Sequence, residues 1–274
     1  YYYDTKGSNI YGKMLQMGMG NPLSPGTYHV GVINSGGTAP MTYTIASRGI
    51  GTNFSIPILD LPHLGSVTSN GLPVSEAAYY RVTVPPGQRN WKLRLAPTSG
   101  EAMLMLQKDY LPNVAAGGSS PTTVNGGRAL QKAGNEQYLL LPPAGQALIP
   151  SGTYYLAVAS EGVNPHSSYY GSNSCNFTLT SYGPLAYTNL GNVNPVAIVR
   201  SNSFQAGEIS VYQFTVTNSP ALEVRLDNEI GNSYMRMLIN SNAPSGQYAY
   251  GFNNGEGPTW SHDRIITLPN VAAG

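Results

Sequence analysis

The acidic residues that lie closest together in this chain are Asp227 and Glu229, within Leu226-Asp-Asn-Glu-Ile230. Paired carboxylates support the acid–base chemistry of glycosidases, and oxygen ligands at alternate positions suit calcium. The other ligands and the glycine of a calcium-binding loop are missing, and the matching residues of a repeated unit described below, Pro97–Ser99, fit a loop. We therefore predict a solvated turn here, not a catalytic or metal site.

A nucleophile would need a base beside it, and that base would need a third group to orient it. The single cysteine, Cys175, has one histidine near it in the sequence, His166, and fits a small apolar strand residue better than a catalytic thiol. His262 precedes Asp263, but zinc needs further His or Cys ligands that this segment lacks. We predict that the protein is not an enzyme and that it uses no cofactor and no metal.

Exposed aromatic rings are the remaining candidates for ligand binding. Neighbouring tyrosines such as Tyr79-Tyr80 place one ring on each face of a strand, so that one ring is buried and the other is exposed. Exposed Tyr and Trp can stack on sugar rings or anchor a protein partner, although strand propensity alone also explains them. The candidate ligand-binding residues are Trp260, Trp91, Tyr155 and Tyr170.

The composition excludes several classes of protein. Charged residues make up 10% of the 274 residues and the formal net charge is +1, whereas about 25% is usual. No basic run suggests a nucleic-acid partner, and no stretch of about 18 apolar residues suggests membrane insertion. The low charge favours an extracellular or cell-surface location.

Alternation with a period of two predicts an all-β protein. Abundant Gly, Pro and Tyr fit short strands joined by tight turns. Turn signals such as Pro86-Gly87 separate the segments. The predicted strands are 79–84, 91–95, 102–106, 153–158 and 176–180.

Several of these segments recur further along the chain. Tyr80–Val84 matches Tyr212–Val216 after 132 residues, and Trp91–Leu95 matches Leu222–Leu226 after 131 residues. Such matches, in order and at nearly one offset, indicate an internal repeat. The remaining matches join Ala102–Leu106 to Tyr234–Leu238, Pro112 to Pro244, and Leu139–Pro142 to Ile266–Pro269.

The other half of the unit recurs towards the N-terminus. Ser151–Val158 matches Pro25–Val32, and Asn176–Thr180 resembles Thr42–Ala46 as a closing strand. The chain therefore divides into three predicted parts. They are residues 1–50, the C-terminal part of one unit; residues 53–182, a complete unit; and residues 183–274, the N-terminal part of a further unit.

The two partial units are complementary, because each carries strands that the other lacks. They can combine within one chain as a permuted domain, or head to tail between chains as a ring or filament. A third explanation is that part of a longer polypeptide is missing.

The complete unit resembles the bacterial pre-peptidase C-terminal (PPC) domain. The resemblance implies a jelly-roll-like antiparallel β-sandwich, secreted, appended to hydrolases or arrayed in surface proteins, with no chemistry of its own. The acidic residues that the family often carries before its third strand are absent from Gly100–Met103, so no calcium site is carried over. The matching segments are Tyr80–Val84, Leu93–Leu95, Met103–Leu106, Leu111-Pro112, Ser151–Val158 and Phe177–Leu179.

Three functional hypotheses follow. The first is a non-catalytic extracellular interaction or spacer module of a larger secreted or surface protein, whose partners are other protein domains. The second is a filament subunit in which neighbouring chains complete one β-sandwich. The third is a carbohydrate-binding module with a polysaccharide as partner.

Overall fold

The computed structural model describes residues 24–34, 38–74, 76–112, 128–130, 135–140, 142, 146–162, 174–193, 197–203, 210–217, 219–227, 235 and 264–271. Within these ranges every regular element is a β-strand, which confirms the all-β prediction. The strands are β1 Ile58–Asp60, β2 Gly65–Leu72, β3 Ala77–Val84, β4 Trp91–Ser99, β5 Glu101–Lys108, β6 Arg128–Leu130, β7 Glu136–Leu140, β8 Gly152–Gly162, β9 Cys175–Tyr182, β10 Thr188–Asn192, β11 Tyr212–Thr215, β12 Ser219–Leu226 and β13 Arg264–Val271.

Strands β1 to β9 form two facing sheets within residues 58–182. One sheet has the order β1-β3-β8-β5-β6, and the other has the order β2-β9-β4-β7. The pairings are antiparallel except between β1 and β3, which run parallel. Strand β8 lies between β3 and β5, and β9 lies between β2 and β4, so each sheet is joined through one central strand.

The core between the sheets follows from the alternation of side chains along each strand. Tyr80 and Val82 of β3 point inward, as do Leu156 of β8 and Leu179 of β9, and all four are buried in one cluster. The predicted strands at 79–84, 91–95, 102–106, 153–158 and 176–180 all lie within observed strands. Strand β4, however, continues through Pro97–Ser99, so the prediction of a loop at that place is wrong.

Trp91 fills the centre of this core. Its exposed fraction is 0%, and its ring lies 5.0 Å from that of Tyr154 and 6.3 Å from that of Tyr138, centroid to centroid. The indole Nε1–H donates to Ser181 Oγ at 2.8 Å, and the Ser181 hydroxyl donates to the His63 carbonyl at 2.6 Å. Ser181 thereby satisfies two polar groups that would otherwise be buried without a partner.

A second apolar cluster covers the outer face of the five-stranded sheet. Residues 49–58, which we call the cover segment, turn back on themselves and place Ile50, Ile56 and Ile58 against Tyr79 and its neighbours. Tyr79 is only 3% exposed. The prediction that one ring of the Tyr79-Tyr80 pair is exposed is therefore wrong, because the cover segment shields the outer ring.

Two ion pairs fix the ends of the cover segment. Arg48 Nη2 lies 2.7 Å from Glu76 Oε2, and the Arg81 guanidinium hydrogen-bonds the Asp60 carboxylate. The bond from Arg81 lowers the pKa of Asp60 below its usual value. Both pairs are largely exposed, so they define position more than they add stability.

Replacing Ser181 tests the polar contact inside the core. We expect Ser181→Ala to lower the free energy of unfolding by about 1–3 kcal/mol, because the Trp91 indole and the His63 carbonyl lose their partner. Urea unfolding followed by circular dichroism measures the change. Ser99→Ala, at an exposed position of β4, is the matched control, and an equal loss in both variants would contradict the assignment.

Alkaline pH tests the burial of the core tyrosines. Burial raises the pKa of Tyr80 and that of Tyr154 to about 12, whereas an unfolded tyrosine has a pKa of about 10. Above pH 10 the unfolded chain releases these protons first, so the free energy of unfolding falls between about pH 10 and pH 12 and is unaffected below pH 10. A double variant, Tyr80→Phe with Tyr154→Phe, should flatten this slope; an unchanged slope would contradict the assignment.

Candidate functional site

The four predicted ligand-binding residues do not form a site in the part of the chain that the structure describes. Trp91 is fully buried, so neither face of its ring is open to a sugar, and its prediction as a ligand-binding residue is corrected. Tyr155 is half-buried on the outer face of β8, between Arg81 of β3 and Gln107 of β5. Trp260 and Tyr170 lie outside the described residues.

The residues considered for catalysis are equally dispersed. Cys175 is fully buried in β9, where a substrate has no access. His63 lies in a turn, and burial lowers the pKa of its imidazole. Asp227 is exposed after β12 and accepts a hydrogen bond from Arg225 Nε at 3.1 Å, while Glu229, His166 and His262 lie outside the described residues.

Metal and membrane sites were sought in the same ranges. Among the described side chains, no three His, Cys, Asp or Glu residues group closely enough to hold a metal ion. No described segment forms a helix with the length and hydrophobicity to cross a membrane.

The described geometry points instead to strands β10 to β13, which form two separate two-stranded sheets. Strand β10 pairs with β11 in parallel, starting with Thr188 opposite Tyr212 and Asn189 opposite Gln213. In the complete sandwich, β1 pairs with β3 in parallel, with Leu59 opposite Tyr80 and Asp60 opposite Arg81. Each partner is displaced by a constant number of residues, 129 for β1 to β10 and 132 for β3 to β11.

The second small sheet reproduces another pairing of the complete sandwich. Strands β12 and β13 pair from Leu222–Leu268 to Leu226–Arg264. Strands β4 and β7 pair from Trp91–Leu140 to Leu95–Glu136. All five residue pairs correspond, with offsets of 131 and 128 residues.

Both small sheets stop where a central strand would begin. Strand β8 is the second neighbour of β3, and β9 is the second neighbour of β4, but β11 and β12 each have one strand partner among the described residues. Residues 197–203 follow β10 as β2 follows β1, and they form no strand. We call β10 to β13 the acceptor sheets.

Side-chain burial changes accordingly. Tyr80 of β3 is 2% exposed, whereas its counterpart in β11, Tyr212, is 39% exposed. Leu93 of β4 is fully buried, whereas its counterpart in β12, Val224, is half-buried. The inward faces of the acceptor sheets are therefore less covered than those of the complete sandwich.

The backbone of β11 also has an open edge. The carbonyls of Val211 and Thr215 accept hydrogen bonds from Thr188 N and Val193 N at 2.9 and 3.1 Å, on the side of β10. Because the backbone groups of a strand alternate between its two sides, those of Tyr212 and Phe214 point away from β10. This is the side on which β8 pairs with β3 in the complete sandwich.

Residues 24–48, which we call the donor segment, carry the sequences that match β8 and β9. In the described ranges 24–34 and 38–48 they join no strand, so the strands predicted at 25–32 and 42–46 are not formed in the single chain. A strand needs a neighbour to bond its backbone, and no described strand lies beside them. The alternate apolar side chains are 42–59% exposed: Tyr28, Val30, Val32, Met41, Tyr43 and Ile45.

The counterparts of these side chains are the innermost residues of the complete sandwich. Tyr154, Leu156 and Val158 of β8 correspond to Tyr28, Val30 and Val32, and Cys175, Phe177 and Leu179 of β9 correspond to Met41, Tyr43 and Ile45. All six counterparts are at most 4% exposed. The alternation in the donor segment is thus that of two core strands.

Short connections attach both elements to the complete sandwich. Arg48, at the end of the donor segment, pairs with Glu76 next to β3. Residues 183–187 lead from β9 to β10, and the buried Asn90 holds them: its Oδ1 accepts from Leu185 N at 2.5 Å and its Nδ2 donates to Tyr187 Oη at 3.2 Å.

Sequence reasoning missed the cover segment and the parallel pairing of β1. The signal for the cover segment was the spacing of Ile56 and Ile58 before Leu61, which alternates as a strand does. The signal for the burial of Trp91 was its match to the aliphatic Leu222 in the repeat.

No protein-family model matches the chain, and no curated protein matches it. Among solved structures, the chain is similar to the pre-peptidase C-terminal domain of a collagenase from Bacillus anthracis, with 11% sequence identity and a TM-score of 0.26. The match covers 45% of this chain and 93% of that domain. It is a domain of the family that the sequence resembles, and at this TM-score it supports no argument about function.

Proposed function

We propose that this protein is a non-catalytic structural module that assembles head to tail with copies of itself. The donor segment of one chain inserts into the acceptor sheets of the next and completes a second β-sandwich there. One observation carries the proposal: the donor segment exposes the alternate apolar side chains of two core strands, and the acceptor sheets lack those two strands among the described residues.

The physical drive for this assembly is the burial of apolar surface and the pairing of open strand edges. Each of the six exposed side chains of the donor segment would gain about 1.5–3 kcal/mol on full burial. The backbone groups of the inserted strands and of β11 would gain hydrogen bonds at the same time. Donor and acceptor surfaces are different, so the contact is heterologous and repeats from chain to chain.

Completion between chains is favoured over completion within one chain. In the described ranges, no backbone pairing joins the donor segment to β10, β11, β12 or β13. Arg48 also ties the end of the donor segment to Glu76 of the complete sandwich.

The same proposal places the protein outside the cell, as a secreted or cell-surface component. A charged fraction of 10% and a net charge of +1 fit a surface that packs against other copies. The complete sandwich then acts as the spacer between successive joints. Binding of other protein domains or of a polysaccharide has no specific contact in its favour among the described residues.

A charge placed on the buried face of the donor segment should block assembly. We expect Ile45→Asp to leave the chain monomeric, because a carboxylate would enter the core position that Leu179 occupies in the complete sandwich. Thr44→Asp is the matched control, since it adds the same charge at the adjacent residue, which faces outward. The measurement is the solution mass by light scattering at equal protein concentrations.

Mixing two defective variants gives a sharper result. Tyr212→Asp damages the acceptor at a side chain that is already 39% exposed in the single chain, so the chain should still fold. Ile45→Asp and Tyr212→Asp should each stay monomeric alone and form two-chain complexes when mixed, because each supplies the part that the other lacks. Full assembly by Ile45→Asp alone, or no complex in the mixture, would contradict the proposal.

A further inference from the structure

We infer the register in which a second copy of this chain docks: Gly26–Val32 pairs antiparallel with β11 so that His29 faces Gln213, and Thr42–Ala46 pairs antiparallel with β12 so that Ile45 faces Leu226. This inference rests on the proposed function and adds to it the order and alignment of the inserted strands.

The first half of the register comes from the pairing of β3 with β8. In the complete sandwich Arg81 lies opposite Tyr155 and Val84 lies opposite Gly152. The repeat relates Arg81 to Gln213 and Tyr155 to His29. The same alignment places Tyr28 opposite Phe214 and Val30 opposite Tyr212, with all four side chains on the inward face.

The hydrogen-bonding pattern of β11 agrees with this register. The backbone groups of Tyr212 and Phe214 point to the open edge, and they would bond Val30 and Tyr28. Gln213 then lies in a non-hydrogen-bonded pair with His29. The Cα atoms of such a pair are about 4.5 Å apart, which is within the range that a disulfide can bridge.

The second half of the register comes from the pairing of β4 with β9. Leu95 lies opposite Leu179 and Leu93 lies opposite Ser181. These residues correspond to Leu226 opposite Ile45 and Val224 opposite Ser47. Strand β9 also pairs with β2 on its other side, so we expect residues 197–203 to become the second neighbour of Thr42–Ala46.

The link between the two inserted strands is long enough for them to enter opposite sheets. Facing sheets pack about 10 Å apart. Residues 33–40 connect Val32 to Met41, and at about 3.3 Å per residue they reach up to about 26 Å. A single donor segment can therefore supply the missing central strand of both acceptor sheets.

Cross-linking tests the register directly in the full-length chain. The double variant His29→Cys/Gln213→Cys places thiols at the predicted pair, on the outer face of the sheet. Matched controls pair Gln213→Cys with Gly31→Cys or with Thr27→Cys, two residues away on the same face. A Cβ at position 31 meets no atom within 4 Å, and the native Cys175 is fully buried, so neither disturbs the experiment.

Mild oxidation followed by non-reducing electrophoresis gives the readout, with light scattering on the same samples before oxidation. We expect a ladder of covalent multimers with His29→Cys that exceeds the ladders of the two controls by about tenfold, because only the predicted pair has disulfide geometry. A stronger ladder with Gly31→Cys or Thr27→Cys would overturn the register and leave the assembly standing. Samples that stay monomeric before oxidation, or a disulfide that closes only within one chain, would overturn both.

Discussion

Each sheet of the complete sandwich depends on one central strand, β8 in the five-stranded sheet and β9 in the four-stranded sheet. A central strand bonds a neighbour on both sides, so its removal separates a sheet into two pieces and opens two edges at once. Its inward side chains are also the innermost part of the core, and those of β8 and β9 include Leu156, Val158, Phe177 and Leu179. The integrity of this fold therefore rests on two segments rather than on all strands equally.

The acceptor sheets have the form that this dependence predicts. Strands β10 with β11 and β12 with β13 keep the registers of β1 with β3 and β4 with β7, but they remain two separate sheets. The donor segment has the opposite character, with the apolar alternation of two core strands and no strand partner in the described ranges. The Arg48–Glu76 ion pair and the Asn90 contacts attach both parts closely to the complete sandwich, which would limit bending between successive joints.

Side-chain alternation predicted the strands well, because each strand has one face in a core and the pattern records it locally. Strands β3, β4, β5, β8 and β9 lie where the sequence placed them. Tyr79 was predicted wrongly because its cover comes from Ile50, Ile56 and Ile58, and a local pattern contains no information about a layer supplied by another segment. Trp91 was predicted wrongly for a related reason: alternation separates two faces of a strand but does not identify the buried one.

The candidate site was partly predictable. The repeat indicated which strands each partial unit carries, and the pairings of β10 to β13 have the expected registers. The sequence left open whether the partial units meet within one chain or between chains, since both arrangements bury the same side chains. The burial of the Arg48 anchor's partner strand and the unpaired state of the donor segment are properties of the folded chain, and they favour assembly between chains.

The most direct measurement of the central claim is the solution mass of the unmodified protein by light scattering over a concentration series, with negative-stain imaging of the same samples. The account predicts particles that grow with concentration and fibres whose repeat contains two sandwiches per chain. A species that keeps the single-chain mass of 29.1 kDa at every concentration, without fibres, would contradict it.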